Sequence, residues 1–170
     1  MILVETPRTY LRQWVPDDWI RLRILAQDPR VMKNIGNGDL WSDEKCRQFV
    51  DGGIAIEPTR GWLLWPVIYK VDSEFIGISG FNSAFPPDVE IGWWLRPEYW
   101  GKGIATEVAT AVMHFGFDKW HFPRLISVTT PHNTPSLRIM QKLGMHPDRT
   151  FEFQGTPVIS YAIPRPKQIP

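Results

Sequence analysis

One stretch of the sequence, RPEYWGKGIATEVATAV (residues 96–112), constrains the fold more than any other. It places two glycines around a lysine directly after DVEIGWWL (residues 88–95), whose alternation predicts a strand. Residues 104–115 then carry apolar side chains at steps of three and four, which predicts an amphipathic helix. The β-branched segment RLISVTT (residues 124–130) predicts a further strand. A strand, a helix and a strand in this order require a crossover, so the two strands are expected to be parallel.

The rest of the chain predicts antiparallel elements around this unit. A strand is expected at RTYLRQW, then two or three helices, a hairpin of GWLLWPVIYK with FIGISGF, and a closing hairpin of TFEFQ with VISYAI. The last helix is expected to start with Thr134 as its N-cap and to end at Gly144. The sequence therefore predicts one α+β domain over residues 1–170. We expect a mixed, mostly antiparallel sheet of about six to seven strands, about four helices and an irregular tail from about residue 164.

Charge and hydropathy argue against several classes of protein. Nineteen basic and eighteen acidic side chains leave a formal charge of +1, which gives no reason to expect nucleic acid or a membrane as partner. No run approaches ~18 apolar residues, and the first residues lack the apolar core of a signal peptide. Cys46 is the single cysteine, so no intramolecular disulfide forms and a reducing, cytoplasmic location is expected. The histidines show no metal-ligand spacing with Cys46, so no metal is expected.

The glycine turn at residues 101–103 has two interpretations. Backbone N–H groups at the start of a helix lack partners and form a site for an anion, which Gly101 and Gly103 would allow to approach closely. Lys102 would add a positive charge. A purely structural turn explains the same residues equally well. The segment matches neither the P-loop pattern nor the dinucleotide fingerprint, whose third glycine is replaced by Thr106.

Several segments resemble the GNAT superfamily of N-acetyltransferases. PEYWGKGIATE resembles its acyl-CoA pyrophosphate loop, Q/R-x-x-G-x-G/A, and HNTPSLRIMQKLGM resembles its second cofactor segment, N-x-x-S followed by K-L-G-F/M. ETPRTYLRQW resembles the opening strand of the branch that contains the ribosomal-protein N-terminal (alanine/serine) acetyltransferases, and FIGISGF and VEIGWWL resemble its third and fourth strands. The resemblance runs in order over residues 6–163. In one departure, Glu98 replaces the first loop residue and is expected to point to solvent.

The resemblance implies acetyl-CoA as the co-substrate. The pantetheine arm would lie where the two parallel strands part like a V, against the strand edge at Trp94 and Leu95. At the start of the last helix Asn133 and Ser136 would contact it, although Asn133 could instead form an Asx-type turn. The pyrophosphate would be held by the residues of the glycine loop, which are Gly101, Lys102, Gly103, Ile104, Ala105 and Thr106.

The implied reaction is direct attack of a primary amine on the thioester, which needs a group that accepts the proton of the amine. We favour Glu90 as this base, because strand alternation places it beside Gly92 and Trp94 and partial burial would raise its pKa towards neutrality. An ion pair with an arginine is the structural alternative for Glu90. Glu152, on the strand after the last helix, and His132 are the other candidates.

The resemblance also implies an oxyanion donor and an acid for the departing thiolate. A backbone N–H near Trp94 or Leu95 is the expected donor, because the family strand bulges there. Met140 stands where many GNAT enzymes have a tyrosine acid. Ser136 is therefore the nearest hydroxyl, and solvent is the alternative source of the proton.

The resemblance therefore implies an acetyl-CoA-dependent N-acetyltransferase that acts on a protein N-terminus or a small amine. Residues 41–65 and the closing hairpin are expected to shape the acceptor pocket. A non-catalytic acyl-CoA-binding module is the alternative, which Glu90 disfavours and Met140 favours. A homodimer is compatible with the resemblance, since relatives often pair through sheet edges.

Overall fold

The computed structural model describes residues 1–167 and contains five α-helices within them. The helices are α1 (Asp18–Ala26), α2 (Pro29–Met32), α3 (Asp43–Arg60), α4 (Ile104–Lys119) and α5 (Thr134–Lys142), with a 3-10 turn at Pro97–Tyr99. No helix among the described residues is long and apolar enough to cross a membrane.

Eight strands form one sheet in the order β1-β2-β3-β4-β5-β6-β8-β7. The strands are β1 (Ile2–Glu5), β2 (Thr9–Arg12), β3 (Leu64–Tyr69), β4 (Phe75–Asn82), β5 (Val89–Leu95), β6 (Arg124–Thr129), β7 (His146–Phe153) and β8 (Thr156–Pro164). The predicted α+β fold with a mixed sheet is confirmed, with slightly more strands and helices than expected. The strand that the sequence did not indicate is β1, in which Val4 alone is fully buried, so the alternation that reveals a strand is weak there.

The helices cover both faces of the sheet. On β4, Phe81 meets α4 so closely that a Cβ on Gly116 would lie 2.5 Å from its ring. Its neighbour Asn82 points to the opposite face, where it lines a hollow together with Gly53 of α3. The apolar stripe of α4 is buried along Ile104, Val108 and Val112, as the spacing predicted. This packing fixes the start of α4 against the end of β5.

Both ends of α5 are capped within the chain. Asn133, rather than the predicted Thr134, is the N-cap, because its side chain accepts a hydrogen bond from the N–H of Ser136 at 3.4 Å. Gly144, with φ +78°, follows the last turn as predicted. After β8 ends at Pro164, residues 165–167 form no helix or strand, and the remainder of the expected irregular tail lies outside the described residues.

β5 and β6 are parallel, as the strand–helix–strand order predicted, and they separate along their length, as the resemblance implied. Val89 pairs with Leu125 and Glu90 with Ile126, and no further pair follows. β5 continues to Leu95 and β6 to Thr129. The two strands therefore enclose a V-shaped gap with Glu90 at its vertex, and the start of α4 lies beyond the end of β5.

Candidate active site

Glu90 lies at the vertex of the gap and is held by hydrogen bonds from both sides. One oxygen, Oε2, accepts from Nδ2 of Asn82 at 2.8 Å, and Oε1 accepts from the backbone N–H of Val128 at 3.3 Å. The arginine partner considered as a structural alternative is absent among residues 1–167. An amide and a backbone N–H, neither of them charged, therefore hold the carboxylate.

Burial changes the acidity of this carboxylate. Desolvation raises the pKa of Glu90 from 4.5 to about 7, and the hydrogen bonds from Asn82 and Val128 oppose the increase without cancelling it. Near neutral pH, the group therefore exchanges a proton readily in either direction. A carboxylate with this property beside a cleft is suited to general base chemistry.

The edge of β5 that faces the gap offers backbone N–H groups. The N–H of Arg96 donates to the C=O of Ile76 at 2.8 Å, which identifies that pair as hydrogen-bonded across to β4. In an antiparallel ladder, hydrogen-bonded and non-hydrogen-bonded pairs alternate. Trp94, two residues before Arg96, is therefore also hydrogen-bonded to β4, whereas Leu95 is not. The N–H of Leu95 therefore points away from β4, towards the gap, and that of Trp94 does not.

The bulge expected near Trp94 is not present. From Glu90 through Leu95, β5 forms six consecutive pairs with β4 without a register shift. The gap beside Leu95 arises instead from the divergence of β6. At the same position the C=O of Leu95 accepts a hydrogen bond from Nε1 of Trp100 at 2.8 Å.

The glycine loop at residues 101–106 presents a row of backbone N–H groups. Gly101 and Gly103 have φ of +72° and +74°, in the left-handed region that favours glycine. The first intrahelical bond of α4 is donated by Glu107 to Gly103 at 3.1 Å. Within the described part of the chain, no hydrogen bond is donated by the N–H groups of residues 101–106. These six donors also lie at the positive end of the helix dipole, a combination that favours an anion.

Arg8 holds this loop in place, a contact that the sequence did not reveal. From the turn between β1 and β2, its Nε donates to Oε2 of Glu107 at 2.7 Å, and its NH1 donates to the C=O of Lys102 at 2.8 Å. The backbone N–H of Arg8 donates to Oε1 of Glu107 at 3.0 Å. Burial acts to raise the pKa of Glu107, but hydrogen bonds from Thr6 and Arg8 hold it below its ordinary value. Arg8 thereby offsets a carboxylate that would otherwise repel an anion at the loop.

A cleft of about 280 Å³ lies over Glu90, between two aromatic walls. Trp41 and Trp94 form one wall, with ring centroids 5.5 Å apart, and Phe85 and Phe153 form the other, with centroids 4.9 Å apart. The cleft reaches β6 along residues 128–130, so it meets the gap between the parallel strands. Its lining includes parts of residues 41–65 and of the closing hairpin, the two regions expected to shape an acceptor pocket.

A family model described as an acetyltransferase (GNAT) domain matches residues 8–146. The chain belongs to the GNAT acetyltransferase family. Its matched range contains the parallel pair, the glycine loop, Glu90 and α5. The relatives named as N-acetyltransferases, together with this family, make the chain an acyltransferase.

Three relatives illustrate this membership. The uncharacterized N-acetyltransferase YnaD of Bacillus subtilis is 31% identical over 150 residues, which cover 88% of this chain and 85% of that protein. The crystal structure of a GNAT acetyltransferase from Bacillus anthracis superposes with a TM-score of 0.83 at 30% identity and covers 97% of this chain and 99% of its own. The ribosomal α-N-protein acetyltransferase RimL, solved with coenzyme A, has the same fold, with a TM-score of 0.80 at 19% identity and 96% and 98% coverage.

The start of α5 brings two further candidates to the open end of the gap. Asn133 caps the helix and donates through Nδ2 to Oγ1 of Thr129 at 2.8 Å. Both polar atoms of its side chain therefore have partners within the chain, as in the Asx-type turn that was the alternative to a contact with pantetheine. Ser136 is half-buried, and its backbone N–H donates to the cap. Met140, in the place of the tyrosine of many GNAT enzymes, is only 1% exposed.

Other residues considered from the sequence lie elsewhere. Glu152 is exposed on β7, and alternation directs it away from Phe153, which lines the cleft. His132 is exposed in the turn before α5. Glu98, expected to point to solvent, is 53% exposed but also lies 3.4 Å from Nε of Arg96 and 3.6 Å from Arg30. The structure therefore brings neither Glu152 nor His132 together with Glu90.

Proposed function

We propose that this GNAT enzyme transfers the acetyl group of acetyl-CoA to a primary amine by direct attack, with Glu90 as the general base. The observation that carries the proposal is the position of Glu90. A carboxylate with a pKa raised to about 7 lies where the acceptor cleft meets the vertex of the strand gap. A cytoplasmic location and an acceptor other than nucleic acid or membrane are part of the same proposal.

The residues present fit coenzyme A. The six unpaired N–H groups of residues 101–106 suit a pyrophosphate, and a Cβ on Gly101 would meet nothing within 4 Å, so the loop is open to a large anion. The gap between Leu95 and Thr129, where β5 and β6 no longer pair, would receive an extended arm that pairs with the strand edge. Lys102, Ile104, Ala105 and Thr106 would contribute through their backbone, and Asn133 and Ser136 would line the far side.

Glu90 and Leu95 would divide the chemistry between them. Acetyl-CoA, when bound, supplies an acetyl carbon activated towards attack. The amine forms an amide bond to that carbon and displaces a thiolate, and Glu90 accepts the proton that the amine loses. Each carboxylate oxygen of Glu90 accepts one hydrogen bond and so retains a lone pair for this proton. The N–H of Leu95 donates to the oxygen on which negative charge develops.

Ser136 is the side chain proposed to protonate the thiolate. Its hydroxyl lies in the first turn of α5, at the open end of the gap, and solvent at that end restores its proton. Glu152 faces away from the cleft and is the second candidate for the base. It would take this role only if turnover survives the removal of the Glu90 carboxylate.

Met140 is the one feature that favours a non-catalytic acyl-CoA-binding module. A thiol-release assay with acetyl-CoA and a panel of primary amines and N-terminal peptides separates the two functions. The proposal expects turnover with at least one acceptor and an N-acetylated product. Tight binding of coenzyme A by calorimetry, without turnover of any acceptor, would support the module instead.

The Arg8 contact makes a separate prediction. Arg8→Ala is expected to raise the Kd for coenzyme A by about 10-fold, because Glu107 is then left uncompensated at the start of α4, within the range of helix-terminus electrostatics. The free energy of unfolding should fall by no more than about 1 kcal/mol, since the ion pair is partly exposed. Isothermal calorimetry and thermal unfolding measure the two quantities.

Arg23→Ala is the matched control for Arg8→Ala. Arg23 pairs with Asp43 at 3.1 Å and is 40% exposed, compared with 39% for Arg8, but it lies away from the glycine loop. Its removal should leave the Kd for coenzyme A unchanged. If Arg8→Ala and Arg23→Ala have the same affinity, Arg8 does not position the loop.

A further inference from the structure

A second hollow of about 150 Å³ adjoins the acceptor cleft, and none of its lining residues is assigned a role in the proposed acetyl transfer except Asn82, which holds Glu90. The two spaces share Leu64 and Asn82 in their walls. Because Asn82 donates to Glu90 at 2.8 Å, the second hollow begins one hydrogen bond away from the proposed base. The two spaces are therefore neighbours, and a molecule with its amine at Glu90 would reach the second hollow by passing Asn82.

The walls of the second hollow are mainly apolar. Phe49, Ile56 and Leu63 line it, and Gly52 and Gly53 lie side by side on the face of α3. A Cβ on Gly52 would meet nothing within 4 Å, so this part of the helix leaves open space. An apolar body of modest size fits against such a surface.

The lining of the second hollow includes a guanidinium group that has no counter-charge within residues 1–167. Arg60, the last residue of α3, stacks on Trp62 at 3.6 Å. Its NH2 atom is buried and has no hydrogen-bond partner within residues 1–167. Burial lowers the pKa of the guanidinium, and no carboxylate acts in the opposite direction. The buried NH2 atom itself is out of reach of a molecule in the hollow, but Arg60 borders the hollow and no ion pair within residues 1–167 occupies its guanidinium, which leaves that group available to an anionic acceptor.

The charges that line the two hollows limit the acceptor further. Glu90 is the one carboxylate among the lining residues, whereas Lys45 and Arg60 are cations. A polyamine would bring additional ammonium groups towards these two cations with no further carboxylate to receive them. An acceptor with one amine and one anionic group matches the charges.

We propose that the acceptor is a small monoamine that carries a carboxylate. Its amine contacts Glu90, its apolar body crosses Leu64 and Asn82, and its carboxylate pairs with Arg60. This inference rests on the proposed acetyl transfer and narrows its acceptor. Lys45, which is exposed and stacks on Trp41 at 4.8 Å, adds attraction at the rim without contacting the carboxylate.

The test compares each acceptor with its neutral counterpart. ω-Amino acids and dipeptides, in which several atoms separate the amine from the carboxylate, are assayed by thiol release beside the matching carboxamides, with spermidine as the polycation. The wild type is expected to show a kcat/KM at least tenfold higher for the best carboxylate than for its carboxamide. Arg60→Met should reduce this ratio to near one, Arg60→Lys should retain part of it, and Lys45→Met should keep it within about threefold.

The outcomes separate the acceptor class from the reaction itself. Rapid turnover of carboxamides or spermidine, without a preference for the carboxylate, would overturn the inference and leave acetyl transfer intact. A ratio that survives Arg60→Met in the folded variant would also overturn it. A complete lack of turnover with every amine would overturn both proposals. Longer peptides that outperform ω-amino acids and dipeptides would replace the small acceptor with a protein N-terminus.

Discussion

Glu90→Gln is expected to lower kcat/KM for the acceptor by at least about 100-fold, the lower end of the range for loss of a general base. Glutamine keeps the size of the side chain and its oxygen can still accept the hydrogen bond from Asn82, while its NH2 group then faces the N–H of Val128, which loses its acceptor. The glutamine cannot take a proton from the amine. The measurement is thiol release under conditions in which acetyl-CoA saturates both proteins. Because Glu90 lies at the vertex of the gap and not in the glycine loop, the Kd for coenzyme A should change by less than about threefold.

The stability of Glu90→Gln provides the control for folding. Between the unfolded pKa near 4.5 and the folded pKa of about 7, the native protein binds the additional proton, so the stability of the wild type falls as pH rises through this window. The glutamine variant avoids that loss. At pH 8 the upper bound of the gain is about 3 kcal/mol. The N–H of Val128 that loses its acceptor opposes this gain by about 1–2 kcal/mol, so the variant should be about as stable as the wild type or more stable. A variant that is inactive and also strongly destabilised at pH 8 would not support the assignment of the base.

Gly103→Val should weaken the use of acetyl-CoA but not that of a shorter donor without a pyrophosphate. A β-branched residue is strongly disfavoured at a φ of +74°, so the turn must rearrange. The backbone N–H groups of residues 101–106 then no longer point towards one common site. We expect kcat/KM for acetyl-CoA to fall about 30-fold, equivalent to about 2 kcal/mol of anion binding at a helix start. With S-acetylpantetheine, which has no pyrophosphate, kcat/KM should change by less than about threefold.

A second glycine gives the matched control for this backbone strain. Gly155, in the turn between β7 and β8, has φ +76°, and a Cβ there would meet nothing within 4 Å. Gly155→Val introduces the same local strain away from the loop, so its KM for acetyl-CoA should remain that of the wild type. Equal losses of acetyl-CoA and S-acetylpantetheine turnover in Gly103→Val would show that the loop does not bind the pyrophosphate.

The parts of this account that depend on local rules could be predicted from the sequence. The parallel pair follows from one crossover connection, and the shared face of Glu90, Gly92 and Trp94 follows from strand alternation. All three line the cleft. The helix that starts after Gly103 is similarly visible, because glycine turns and apolar stripes are properties of short segments.

The contacts between distant segments could not be predicted in this way. Arg8 and Glu107 are 99 residues apart, and neither residue type carries a pattern that indicates its partner. The hollow at Arg60 arises only when α3 packs beside β3 and β4. The N-cap of α5 could be predicted only to within one residue. Asn133 and Thr134 are both good capping residues, and only the backbone geometry decides between them.

The pH dependence of kcat/KM in the wild type and in Glu90→Gln tests the central claim most directly. With an acceptor whose own amine has a pKa near 8, the wild type should show two inflections, one near 8 and one near 7. Activity should rise with pH through the lower inflection, because Glu90 must be deprotonated to act as the base. The variant should lose the inflection near 7 and keep the other. An inflection near 7 that persists in Glu90→Gln, with activity close to that of the wild type, would contradict the assignment of Glu90 as the base.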